Sequence, residues 1–116
     1  MQRTLDQEPI LDLDHLLTFT DGDMELESEL SVLYLSSAEA YLDTMRRALR
    51  DGASWTSSVH ALKGSSANLG ALRVAALARA AEHQPPDAAT LQEIRDAIDE
   101  VGIFFGERQR ASSTHH

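Results

Sequence analysis

The sequence predicts an all-α protein: an up-down-up-down four-helix bundle with a short additional N-terminal helix. Three observations predict it. Apolar residues recur at helical spacing along most of the chain, and no segment alternates strictly between apolar and polar as a half-buried strand would. The stretches between the helical patterns are only a few residues long, which favours antiparallel neighbours.

Residues 1–9 are polar and poor in anchors, and are expected to form a flexible lead, with Leu5 packing locally. Ile10, Leu13, Leu16 and Leu17 then give a brief helical stripe, with Asp12 as a candidate N-cap. Asp21-Gly22-Asp23 reads as a turn, and Asp23 as the cap of a long helix over 23–50. In that helix Leu26, Leu30, Leu33, Ser37, Ala40 and Met45 form the expected core stripe, widened by Tyr34, Tyr41 and Leu49. Glu25, Glu27, Glu29, Glu39, Asp43, Arg46 and Arg47 are expected on the solvated side. Asp51-Gly52 ends the helix, because glycine takes the left-handed conformation that closes helices.

Ser54 is expected to cap the next helix, 54–69, and Gly70 to close it. An alanine-rich helix follows over 71–83, its small side chains permitting close approach, until Pro85-Pro86 stop it. Asp87 caps a last helix, 87–106, on which Leu91, Ile94, Ile98, Val101 and Phe105 line one side. The folded domain is thus expected over residues 10–106, with a polar tail over 107–116. His115 and His116 are left out of any site.

A chain of 116 residues suits one domain, and 42% hydrophobic residues suffice for a core. No apolar run approaches the length of a bilayer span, and no basic-then-apolar signal segment opens the sequence, so a cytoplasmic protein without membrane association is expected. The absence of cysteine excludes disulfides, thiolate catalysis and cysteine zinc sites. A formal net charge of −9 argues against nucleic acid as a partner, since phosphate backbones recruit basic faces.

The stretch VHALKGSSANLGA, residues 59–71, carries the chemistry. Counting 100° per residue, Trp55, Val59, Leu62, Ser66 and Leu69 share one stripe, and His60 points about 140° away from Trp55. Around His60 lie Thr56, Lys63, Gly64 and Ala67, so the imidazole stands on an outward face with a cation one turn on and little bulk beside it. Lys63 is the sole lysine among ten Lys and Arg residues. Taken singly, each of these residues has an ordinary reading: a surface histidine, a solvated lysine, a close-packing glycine. Together they describe a nucleophile presented to something large. Gly64 inside a helix costs roughly 0.5–1 kcal/mol relative to alanine, and clearance for an incoming group is a reason to keep it. Ala67 and Ala71 extend the same flat patch on this count. Ser66 is expected to bond back to its own helix, and Asn68 to bridge to a neighbour.

HALKGSSANLGA resembles the signature of histidine-containing phosphotransfer (HPt) domains, His-x-Leu-Lys-Gly followed after a short small-residue run by Gly-Ala; His60, Leu62, Lys63, Gly64, Gly70 and Ala71 all match. The resemblance implies a four-helix bundle whose one histidine is transiently phosphorylated in a two-component phosphorelay. It implies receiver domains of response regulators and a sensor (hybrid) histidine kinase as partners, with Mg²⁺ carried by the receiver and no cofactor on this chain. It also implies a phosphocarrier rather than an enzyme, and a monomer is expected. Thr56, Ala67 and Ala71 would then dock the partner. Glu82, on the helix that folds back beside His60, would orient the other ring nitrogen, at a place where several relatives carry glutamine.

Two readings from other classes compete. A carboxylate-bridged metal bundle needs a Glu-x-x-His pair on each of two helices, and the sequence contains no Glu-x-x-His; Asp12 and His15 give one Asp-x-x-His with no partner set, so no metal ligands are assigned. An adaptor bundle that docks partners without phosphorylation would not need His60. An autonomous kinase is also disfavoured, since no glycine-rich phosphate loop is present.

Overall fold

The computed structural model describes residues 8–113 and contains, in order, α1 (Leu13–Thr20), α2 (Met24–Asp51), α3 (Thr56–Leu69), α4 (Leu72–Ala81) and α5 (Ala88–Ser113), with no strand among the described residues. The expectations for residues 1–7, and for His115 and His116, lie outside the described residues.

Local chemistry sets the helix ends. Asp12 Oδ1 accepts from the His15 amide at the start of α1, and Asp23 Oδ1 accepts from the Glu25 and Leu26 amides at the start of α2. Asp87 Oδ2 accepts from both the amide and the hydroxyl of Thr90 at the start of α5. Gly52 and Gly70 close α2 and α3 with φ of 72° and 94°. Ile10 lies before α1 rather than on it, and its neighbour Leu11 is the buried one.

α2 packs against α3 and α5, α3 against α4, and α4 against α5, while α1 leans on α2. Each of the four longer helices therefore has two neighbours among the other three, and their apolar faces meet along the middle. Leu42, Met45, Trp55, Val59, Leu62, Val74, Ile94, Ile98 and Val101 are sealed there. Burying a side chain of this size contributes about 1.5–3 kcal/mol, so this seam is the main source of stability. The molecule extends 52 × 33 × 20 Å, and the 28 residues of α2 span ~42 Å at helical rise.

Four expectations are corrected. The buried face of α2 is Glu27, Ser31, Tyr34, Ala38, Leu42, Met45 and Ala48, which is rotated from the predicted stripe; Leu33 is 64% exposed. Leucine and tyrosine occur nearly all round this helix, so the packing of α3 and α5 selects the face, and it selects the small residues Ser31 and Ala38. Glu27, expected in solvent, is 1% exposed. α5 does not stop at Gly106 but continues as helix through Ser113, because Arg108 reaches back to Glu27 and anchors the added turns. Finally, Glu8 and Pro9 do not hang free: their carbonyls accept from Arg73 Nε and from the Arg73 amide.

α4 ends at Ala81, earlier than the prolines require. The buried indole of Trp55 explains the position of the turn that follows: its Nε1–H donates to the carbonyls of Ala81 and Gln84, at 3.3 and 3.1 Å. A core tryptophan thus fixes residues 82–84 against the start of α3. None of the helices among the described residues is long and apolar enough to cross a membrane.

Candidate functional site

Three side chains converge where the turn after α4 meets the outer face of α3. His60 sits one turn into α3, and its side chain is 67% exposed. Glu82 lies in the turn, its side chain only 9% exposed. One carboxylate oxygen lies 2.5 Å from His60 Nδ1, and the other accepts from Lys63 Nζ at 2.6 Å. His60 and Lys63, three residues apart on one helix face, are bridged by a single carboxylate.

The electrostatics decide the proton positions. The hydrogen bond from Lys63, and after it the one from His60, hold the Glu82 carboxyl below its ordinary range against the opposing effect of burial. Glu82 is therefore an ionised acceptor at neutral pH. An ionised carboxylate has no proton to give, so Nδ1 must be the donor. The neutral ring then carries its hydrogen on Nδ1 and leaves Nε2 with a free lone pair, the nucleophilic nitrogen.

The backbone that presents this group is itself tethered. Ser54 does not cap α3, which begins at Thr56 with Trp55 at the cap position and no side-chain cap bond; instead Ser54 Oγ accepts from the Thr56 amide and donates to Thr56 Oγ1. Thr56 Oγ1 in turn donates to the Glu82 carbonyl at 3.4 Å. Ser54, Thr56, Ser57, His60 and Glu82 line a shallow open recess. Beyond His60, Gly64 faces open space: a Cβ built there meets nothing within 4 Å. Ala67 is exposed as well.

Of the residues singled out from sequence, His60, Lys63, Gly64, Thr56 and Ala67 share the exposed side of α3 or its start, and Glu82 joins them from the next connection. Ala71 does not: it is fully buried and belongs to the core. The 100° count that sets it beside His60 holds only within the helix, and the left-handed backbone of Gly70 ends α3 and redirects the chain before Ala71. Ser66 is also corrected. It is buried, as its place on the Trp55 stripe predicts, but its hydroxyl meets Tyr34 OH at 2.7 Å instead of its own backbone.

Sequence reasoning missed two features. Trp55 was read as core alone, although its indole N–H sets the turn that carries Glu82. An apolar groove of about 480 Å³ between α1, α2 and α3, lined by Phe19, Leu30, Leu33, Tyr34, Asn68 and Leu69 among others, also went unread. The 60% exposure of Phe19 and the outward turn of Leu33 depend on tertiary packing and leave no local signal. At its edge His15 Nε2 lies 2.8 Å from the Asn68 carbonyl and caps the last turn of α3. No group of three or more His, Asp or Glu side chains converges as a metal site among the described residues.

A family model described as "Hpt domain" matches residues 29–102, more than half of the 116. Neither the curated proteins nor the solved structures give a match.

Proposed function

This chain belongs to the Hpt domain family, whose members carry phosphoryl groups on histidine in two-component phosphorelays, and from that premise we propose that His60 is the residue phosphorylated here. In this reading His60 accepts a phosphoryl group from a receiver-domain aspartate or a donor kinase and passes it to the aspartate of a response-regulator receiver. The observation that supports it best is the exposed imidazole whose Nδ1 is engaged by Glu82, leaving Nε2 free.

The chain acts as nucleophile on loading and as leaving group on unloading. Mg²⁺ on the receiver, with the receiver's own pocket, supplies most of the charge stabilisation in the transition state. Lys63 stands one turn from the ring and offsets part of the incoming phosphoryl charge. Gly64 keeps the approach clear. The receiver's footprint is proposed to cover Thr56, Gly64 and Ala67 and to continue over Ser65 and Asn68 onto the groove between α1, α2 and α3. The ring of neighbours α2, α3, α4, α5, with short connections, supports the up-down-up-down arrangement. The chain is proposed to be a cytoplasmic monomer, to lack a cofactor and kinase activity of its own, and to take its phosphoryl group from a sensor kinase by way of receivers.

The test is incubation with a phosphorylated receiver and Mg²⁺. Acid-labile label should appear on the native chain and be absent from His60→Gln of unchanged helical content. Label retained by that variant, or none on the native chain, overturns the reading.

A further inference from the structure

The carboxylate at Nδ1 has a consequence for the phosphorylated ring as well as for the empty one. We propose that Glu82 holds the proton on Nδ1 throughout the transfer cycle, so that phosphoryl groups leave His60 from a neutral imidazole and the phosphohistidine is short-lived and quick to donate. This rests on His60 being the phosphorylated residue.

On loading, the Nε2 lone pair forms the N–P bond while the P–O bond of the incoming acyl phosphate breaks, its electron pair staying on the departing carboxylate. The ring now bears hydrogen on Nδ1 and phosphorus on Nε2, and is cationic. On unloading, an oxygen of an acceptor carboxylate or of water bonds to phosphorus, the N–P bond breaks and its pair returns to Nε2. When water is the acceptor its proton goes to solvent. If Nδ1 is protonated, the departing group is neutral imidazole. If it is not, the departing group is an imidazolate, a far stronger base and a poorer leaving group.

The geometry favours the first case. A buried carboxylate against an N–H stabilises the cationic ring, whereas an amide of the same shape accepts the hydrogen bond without the charge. Glu82 is held still by Lys63 on its other oxygen and by the turn that Trp55 and Thr56 fasten. The charged groups bonded at this face are Lys63 from α3 and Glu82 from the turn after α4. On α4, Arg73 pairs with Glu100 of α5, Arg79 is exposed, and so is His83 beside Glu82; on α2, the other helix packed against α3, Glu27 and Glu39 pair with α5, and Asp43 pairs with Arg46 and Arg47. Lys63 works in the opposite sense to Glu82, because its ammonium draws on the same carboxylate and repels a cationic ring. Glu82 is thus a positioning residue for the proton, and Lys63 moderates it.

The experiment loads His60 with phosphoramidate, removes the donor and follows loss of the phosphoryl group between about pH 4 and 10 in the native protein, Glu82→Gln and Lys63→Met. Decay should quicken as pH falls. Glu82→Gln should move the midpoint of that profile down by about one pH unit or more and lengthen the phosphohistidine lifetime several-fold at neutral pH. Lys63→Met should move the midpoint up. Superimposable native and Glu82→Gln profiles on a labelled His60 overturn the proposal while leaving phosphotransfer intact. If Glu82→Gln does not fold, a profile for Lys63→Met that stays put or moves down overturns it. A native chain labelled neither by phosphoramidate nor by a phosphorylated receiver overturns the phosphohistidine reading itself.

Discussion

Glu27 and Arg108 meet through two parallel hydrogen bonds, Nε to Oε2 at 2.6 Å and Nη2 to Oε1 at 2.7 Å, which join the first turn of α2 to the end of α5. Arg108 also places Nη2 near Met24 Sδ, so the guanidinium closes this end of the bundle. Arg108→Ala would leave a carboxylate, 1% exposed, without its counter-charge. Breaking a buried pair costs about 3–5 kcal/mol, and the partial exposure of Arg108 lets water recover some of it, so a loss of roughly 2–4 kcal/mol is expected by urea unfolding. Replacing both partners with leucine should lose less than the single change. A single variant as stable as the native protein would show that the pair does not hold α5.

A second buried pair makes stability depend on alkaline pH. Tyr34 on α2 shares a hydrogen bond with Ser66 on α3, and burial, partly offset by that bond, pushes its phenol up to about 12. Below about pH 10 the phenol is neutral in both the folded and unfolded chains, and its contribution to stability is complete. Between about pH 10 and 12 the unfolded chain sheds the proton while the folded one keeps it, so stability falls by roughly 2–3 kcal/mol. Urea titrations across this window should show the fall in the native protein and a flatter course in Tyr34→Phe. That variant should also be about 1 kcal/mol less stable at neutral pH, since Ser66 is left buried without its partner. Equal slopes in the two proteins would remove the phenol as the cause.

How much of this was legible in the sequence depends on how far the signal travels. Caps act within a few residues, and Asp12, Asp23, Asp87, Gly52 and Gly70 could all be read. So could the clustering of His60, Lys63 and Gly64, which needs only helical spacing. The Glu27–Arg108 pair spans 81 positions, and nothing near either residue marks it. The buried face of α2 was misjudged because that helix offers more than one apolar arc, and its neighbours choose between them. Resemblance and topology point to Glu82 beside His60, and the two side chains meet there, but the sharing of Glu82 with Lys63, and Trp55 as the clamp behind it, need the packed structure to be seen.

Gly70 should tolerate no side chain. Its φ is +94°, and a Cβ there would lie 3.1 Å from His15 Cδ2 and 3.3 Å from the Asp12 carbonyl, the latter a backbone atom with little freedom to yield. The Asp12 amide also donates to the Gly70 carbonyl at 2.7 Å, so any shift loosens α1. Gly70→Ala should cost about 1–3 kcal/mol or more and raise amide exchange across α1 first. Gly52→Ala is the control: it shares the left-handed backbone but has nothing within 4 Å. It should destabilise less and leave α1 protected. If the two variants behave alike, backbone conformation alone accounts for the effect and the α1 contact does not.

Gly64 separates folding from docking. Its backbone is ordinary helix and the space around it is open, so neither conformation nor packing within this chain requires glycine. Gly64→Ala should therefore fold and gain roughly 0.5–1 kcal/mol from helix propensity. Gly64→Leu should fold equally well, but it places a branched side chain one turn from His60, where in the proposed reading the receiver closes on Nε2. A displacement of about 1 Å between reacting atoms can slow transfer by roughly two orders of magnitude. Transfer from a phosphorylated receiver should fall on that scale, while loading of His60 by phosphoramidate, which needs no docking, should be nearly unchanged. Equal losses with both donors would mean that leucine disturbs the imidazole itself; unimpaired receiver transfer would mean that the partner approaches from another side and that the clearance around Gly64 serves no docking purpose.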